Sequence, residues 1–238
     1  MELKNITPEK FQQNYFRTID SIKEQCLKNN RRFDELTIII VSKYITSSSL
    51  KELISTNLIK DIGENRAQLL RERYETINNA VNWHFIGTLQ SNKIKYFVEY
   101  IKLIHSITSE KLLSEINKQA LKKNKIVDGL IEINTSEESS KTGAEKEAVF
   151  RLFDFYCNEK IKNNLTNLNI QGLMTMAALN ADELKCRKSF SFLRKTLEQI
   201  NNKFGINMKV LSMGMSADYL YAIAEGATHL RIGSIFFE

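Results

Sequence analysis

Eight short strand-like stretches alternate with seven helical patterns along this chain of 238 residues. That alternation constrains the fold more than any other feature. The strand-like stretches lie at 37–41, 61–64, 83–86, 103–107, 127–134, 170–174, 209–213 and 230–233. The helical patterns fall between them at 48–55, 66–77, 92–100, 109–122, 144–159, 182–204 and 217–225. Strand, helix, strand repeated in this way predicts a parallel sheet, and eight strands at this length favour closure into an α/β fold of the (β/α)8 TIM-barrel type. The first stretch, TIIIV at 37–41, has no polar alternation, as expected for a strand covered on both faces. Thr7 followed by Pro8 predicts a helix start, and Phe11, Tyr15, Ile19, Ile22 and Cys26 then recur at spacings of three and four. No eighth helical pattern follows the last strand, so this N-terminal helix is expected to fill that place. With one proline and no low-complexity linker, residues 1–238 are expected to form a single barrel domain.

Lys plus Arg number 34 against 28 Asp plus Glu, a formal charge of +6. The basic residues are spread over many helices, with one local cluster at Lys122, Lys123 and Lys125. A nucleic-acid partner would need a basic stripe, so none is expected; an anionic small ligand suits the balance. Cys26, Cys157 and Cys186 stand far apart with no CxxC spacing, which predicts reduced structural thiols, no metal site and a cytoplasmic setting. No stretch approaches the roughly 20 apolar residues of a membrane span, and the N-terminal segment has no apolar core of a signal peptide.

In barrels of this type the chemistry lies at the carboxyl ends of the strands. Lys43 stands there after the first strand. A lysine facing a barrel mouth loses solvation of its ammonium, and its neutral amine is a nucleophile for aldehydes. The plainer alternative is a strand-end lysine reaching into water. Ser216, Ala217 and Asp218 open a helix after the seventh strand, and Gly233 and Ser234 follow the eighth, so adjacent strand ends offer serine hydroxyls and backbone N–H groups to a phosphate. Arg231 is either a buried arginine paired with Glu64 or a group facing the ring nitrogen of a heteroaromatic ligand. His84 has the setting of a core histidine, and neither His105 nor His229 has a carboxylate at a triad-like position in the sequence. The polar segment 134–143 reads most simply as a solvated loop, although Lys141 within it is a candidate to touch an anionic ligand at the mouth. There is no G-x-S-x-G, G-x-G-x-x-G or Walker A pattern, which disfavours serine hydrolase, dinucleotide and P-loop chemistry.

Seven motifs now form an ordered set: VSK at 41–43, GEN at 63–65, WHFIGTLQSNK at 83–93, INTSEESSKTG at 133–143, GLMTM at 172–176, LSMGMSAD at 211–218 and RIGS at 231–234. Together they resemble the YggS/PROSC family, the pyridoxal phosphate (PLP) homeostasis proteins, over nearly the whole chain. The resemblance implies a barrel like the alanine racemase N-terminal domain, PLP fold type III, with pyridoxal 5'-phosphate as cofactor. It implies that Lys43 carries the Schiff base, that Ser216, Gly233 and Ser234 hold the phosphate, and that Arg231 lies against the pyridine nitrogen. Asn65, His84 and Met174 match further positions near the cofactor. Two departures stand out: GENRAQL replaces the family's usual GENYVQE, and the chain closes on IFFE where an IFG segment with a short tail is usual.

Racemisation on such a cofactor needs a proton donor on each face, and racemases built on this barrel bring the second group from an additional β domain. The sequence offers no residues for one after Gly233. An arginine at the pyridine nitrogen also leaves the ring a poorer electron sink. The expectation is therefore a monomeric PLP carrier with no catalytic residues, whose partners are the cofactor and the PLP-dependent apo-enzymes that would receive it. A weak amino-acid racemase is the alternative, and a phosphate-sugar barrel enzyme using Lys43 is a third.

Overall fold

The TIIIV run does form a strand, β1 (Thr37–Val41), and Ile39 to Val41 are buried. The computed structural model describes residues 4–135, 143–178 and 180–238. Seven more strands follow: β2 (Asp61–Glu64), β3 (Asn82–Phe85), β4 (Ile101–Ile107), β5 (Val127–Glu132), β6 (Leu168–Met174), β7 (Val210–Ser212) and β8 (His229–Ile232). They pair in parallel, each with the next, and β8 returns to β1 with Ile39 opposite Arg231, so the sheet closes on itself. A closed barrel leaves no edge strand exposed.

Helices cover the outside: α1 (Pro8–Lys28), α2 (Ser47–Ile54), α3 (Ala67–Ile77), α4 (Glu110–Lys122), α5 (Lys146–Ile161), α6 (Glu183–Phe204), α7 (Tyr219–Ala224) and α8 (Ser234–Phe237). Their apolar faces and the outward faces of the strands make the main core. A separate small cluster of Leu103, Leu130 and Met174 fills part of the lumen. The helix expected at 92–100 is instead a 3-10 turn, Ser91–Tyr96. Its N–H groups reach back three residues, from Lys93 to Gln90 and from Phe97 to Ile94, and this tighter pitch buries Ile94 and Phe97 on one side.

The place after β8 is filled by two elements. Ser234–Phe237 form α8, one turn long, and α1 packs across it. Thr7 caps α1 by accepting from the Lys10 N–H, with Pro8 in the first turn. Asn14 on the buried face of α1 then donates to the carbonyls of Phe236 (3.2 Å) and Glu238 (2.8 Å). Phe11 lies 6.1 Å from the rings of both Phe236 and Phe237. Phe236 and Phe237 thus form an aromatic seam against α1.

Asparagine takes a positive φ at Asn30, Asn57, Asn78, Asn124 and Asn163, just beyond the ends of α1 to α5. Short polar side chains tolerate this conformation better than other non-glycine residues. Among the described residues, no helix is long and apolar enough to cross a membrane, and no group of histidine, cysteine and carboxylate side chains could hold a metal ion.

Candidate functional site

A cavity of about 620 Å3 opens at the carboxyl ends of the strands, larger than the surface grooves of about 480 and 380 Å3 beside α5 and α3. Lys43, Asn65, Ser216, Arg231, Gly233 and Ser234, six of the eight residues expected from the sequence, line it. They come from β1, β2, β7 and β8 or from the turns just after them.

Lys43 sits in a 3-10 turn, Ser42–Tyr44, that continues β1. The turn is held from beneath by Arg73 of α3, which is fully buried. Arg73 Nη1 donates to the Ser42 carbonyl (3.1 Å) and to Ser42 Oγ (2.9 Å), and Nη2 donates to the Ile45 carbonyl. Arg73 also forms an ion pair with Glu64, whose carboxylate accepts from the Ser42 hydroxyl. Burial pushes the Glu64 carboxyl up, and Arg73, Ser42 and Arg66 pull against it. The backbone on both sides of Lys43 is therefore gripped by a planar, multi-donor guanidinium. Lys43 Nζ itself lies 4.9 Å from the centre of the Tyr44 ring.

Glu64 thus has Arg73 as its partner, and the Arg231–Glu64 pair weighed from the sequence does not form. Arg231 is 4% exposed and donates from Nη1 to Ser212 Oγ (2.6 Å) and from Nη2 to the Thr175 carbonyl (2.9 Å). Burial lowers its pKa to about 10, with Asp218 and Glu132 acting in the opposite direction. Opposite, the ends of β7 and β8 meet where the Gly233 N–H donates to Ser216 Oγ (3.2 Å). A Cβ on Gly233 would come within 2.9 Å of the Tyr44 ring and 3.1 Å of the Val41 carbonyl, so only glycine keeps this corner open. The segment before it is braced by the Met215 N–H donating to Asp218 Oδ1 (2.6 Å). Ser216 to Asp218 form a turn, and α7 begins at Tyr219, two residues later than the sequence pattern implied.

Two expected residues do not line the cavity. Met174 is buried in the lumen cluster with Leu103 and Leu130, and it is Met176, two residues on, that faces the cavity. His84 lies lower in the barrel, 2% exposed, with Nε2 3.0 Å from Asp61 Oδ1 and Nδ1 3.0 Å from His105 Nε2. A carboxylate does therefore partner a histidine, which sequence spacing concealed because Asp61 and His84 meet across neighbouring strands. Lys141 falls outside the described residues. The sequence reading passed over Tyr44, Glu132, Met176 and Met215, which complete much of the wall. Glu132 was hidden because the fifth strand was expected to run to 134, whereas β5 stops at Glu132 itself. Gly87 also lines the wall, and a Cβ there would meet the Asn65 carbonyl at 2.0 Å.

Residues 43–238 match the family described as "Alanine racemase, N-terminal domain". A pyridoxal phosphate homeostasis protein from Aquifex aeolicus is 35% identical over 222 residues, 93% of this chain and 94% of the relative. A solved structure described as an unknown protein from Bifidobacterium adolescentis superposes with a TM-score of 0.87 at 28% identity, covering 98% of both chains. PipY of Synechococcus elongatus, solved with PLP bound, superposes with a TM-score of 0.79 at 24% identity, covering 91% of this chain and all of that one. On the extent of these matches, the chain belongs to the family of pyridoxal phosphate homeostasis proteins, built on the barrel of the alanine racemase N-terminal domain.

Proposed function

We propose that this protein binds PLP in the cavity at the carboxyl ends of its strands and serves PLP homeostasis by holding and releasing the cofactor, with little or no turnover. The observation that carries the reading is convergence. One cavity brings together a lysine amine on a clamped turn, a serine–glycine corner and a buried arginine. The donor set fits the group. Ser216 and Ser234 offer hydroxyls to a phosphate, and the side-chain-free corner at Gly233 admits one close to the backbone.

PLP would supply an aldehyde and an electron-withdrawing pyridine ring. Lys43 Nζ is the group in the cavity that can condense with that aldehyde, losing water to leave a Schiff-base anchor. Arg231 holds a positive, donor-only group toward the cavity, which keeps a ring nitrogen unprotonated. That arrangement favours retention over carbanion chemistry, and the apo forms of PLP-dependent enzymes are the acceptors it would serve.

Borohydride reduction of the protein incubated with PLP, followed by peptide mapping, tests the anchor. The expected result is one modified peptide, carrying the label on Lys43. A label elsewhere, or no visible absorbance after PLP is added, overturns the reading. Chiral analysis after incubation with single L-amino acids is expected to show no inversion at ordinary enzyme rates, on the order of 1 per second or faster. Inversion at such rates would make the protein a racemase.

A further inference from the structure

Below Arg231 a line of buried polar side chains crosses the barrel. Arg231 Nη1 donates to Ser212 Oγ on β7 (2.6 Å), and Ser212 Oγ lies 2.8 Å from His105 Nδ1 on β4. Strands β4 and β7 are not neighbours in the sheet, so this contact spans the lumen. From His105 the line continues through His84 on β3 to Asp61 at the start of β2. Four hydrogen bonds thus connect the opposite end of the barrel, where the Asp61 side chain is 16% exposed, to an arginine in the cavity wall.

Elementary donor and acceptor chemistry gives the line a direction. A guanidinium only donates and an ionised carboxylate only accepts. Burial opposes ionisation of Asp61, but bonds from His84 and Asn82 hold its carboxyl below the usual range. Asp61 must then receive an N–H from His84 Nε2, which leaves Nδ1 of a neutral His84 as an acceptor. His105 must therefore carry its hydrogen on Nε2, and its Nδ1 accepts the Ser212 hydroxyl. The Ser212 oxygen is left to accept from Arg231. Every atom in the line is satisfied by this one set of protons, with both imidazoles neutral.

An added proton breaks the order. A doubly protonated His84 would donate from Nδ1, and His105 would then have to donate from its own Nδ1 to Ser212. Ser212 would face two donors, and its hydroxyl hydrogen would lose its acceptor in a buried site, which is costly. Of the charged and titratable groups around the line, Arg231 and His229 disfavour a further proton on His105, while the Asp61 carboxylate stands against His84. Arg231 and His229 on β8 lie close, with the His229 ring 6.5 Å from His84 and 6.3 Å from His105. Glu132 on β5 and Asp218 face Arg231. Burial first, and then the neighbouring histidines and Arg231, push His105 well below the ordinary imidazole range.

We infer that Asp61, His84, His105 and Ser212 form a directional hydrogen-bond wire whose role is to position Arg231 as a fixed donor in the cavity. These four are positioning residues. Their effect on a bound cofactor rests on the PLP reading above, whereas the proton arrangement itself does not.

The test is therefore made in two arms. Long-range proton–nitrogen NMR of the full-length protein without added PLP, at neutral pH, is expected to show His84 and His105 both neutral with the hydrogen on Nε2. An Nδ1–H tautomer or an imidazolium at either position overturns the wire. In the second arm Asp61→Ala and Ser212→Ala are loaded with PLP and compared with wild type. Ser212→Ala is expected to release PLP at roughly 10-fold to 100-fold lower concentration of competing apo-enzyme, the loss of one charged hydrogen bond, and to shift the visible band. Asp61→Ala, four bonds away, is expected to scramble the His105 tautomer and shift the same band, with borohydride labelling of Lys43 intact. An unchanged His105 tautomer in folded Asp61→Ala would reduce Asp61 to a packing role and defeat the proposal. Wild-type protein that shows the expected tautomers yet never takes up PLP would defeat the cofactor reading and leave the wire standing.

Discussion

Two buried polar networks flank the cavity, and they are built on opposite principles. On the β1 side, Arg73, Glu64 and Ser42 form a charged, closed knot between the sheet and α3, and its donors end on backbone carbonyls. On the β8 side, two imidazoles and a serine run in single file across the lumen and end on a side chain, Arg231. The knot fixes the path of the chain that carries Lys43, and the file fixes the orientation of one guanidinium. Rigid backbone placement tolerates formal charge because the ions neutralise each other, whereas an ordered file of donors requires its middle members to stay uncharged.

Several substitutions would break or sharpen this contrast. The largest effect is expected from Lys43→Ala, which should abolish borohydride-trapped PLP completely and change the denaturation free energy by no more than about 0.5 kcal/mol, because Lys43 makes no part of the knot. Next, Arg73→Ala strips the partner from a fully buried Glu64. A loss of about 3–5 kcal/mol is expected in urea denaturation, and a loss under about 1 kcal/mol would show that the knot is not what holds the turn.

The file should respond to acid. His229, beside it, has a pKa lowered by burial from 6.5 to about 4, and His105 is displaced in the same direction. A depressed imidazole means that the unfolded chain binds the proton first, so stability rises with pH through this range. Its contribution is complete above about pH 6.5 and is lost as pH falls toward 4. From His229 alone the loss is of the order of 3 kcal/mol. His229→Gln should flatten that slope in denaturation curves recorded across pH 4–7, a window set by the same residue. An unaltered slope would place the acid sensitivity elsewhere. Gly233→Ala pushes a methyl against Tyr44 and is expected to cost about 1–3 kcal/mol and to weaken PLP retention, read by dialysis of the loaded protein. The smallest effect belongs to Arg71→Ala, which removes an exposed helical pair with Glu75 and should stay within about 0.5 kcal/mol of wild type.

Part of the barrel was legible because a strand covered on both faces must be written as an unbroken apolar run, and the run at 37–41 coincides with β1. The Thr7–Pro8 start of α1 was legible for an equally local reason. The Ser91–Tyr96 turn was not, since a spacing of three serves a 3-10 turn as well as a helix. At the site, residues adjoining strand ends could be named individually, and six of them share one cavity. Their supports could not. Arg73 reaches Glu64 from a helix, and His105 reaches Ser212 across 107 positions of sequence, so both depend on barrel register that no local pattern encodes. Met174 and Met176 differ only in height along the same strand end, a distinction of two residues that the motif alone did not resolve.

The asparagines that end α1 to α5 have a separate bearing. Each lies in a loop that leads from a helix into the following strand, at the end of the barrel away from the cavity. A glycine would occupy the same backbone conformation with less strain, each replacement gaining a few tenths of a kcal/mol at about no cost to distant groups. Five such positions make heat tolerance adjustable in small steps. Lineages in hot and temperate habitats could therefore diverge at these loop tips and keep one and the same ligand chemistry at the other pole of the molecule.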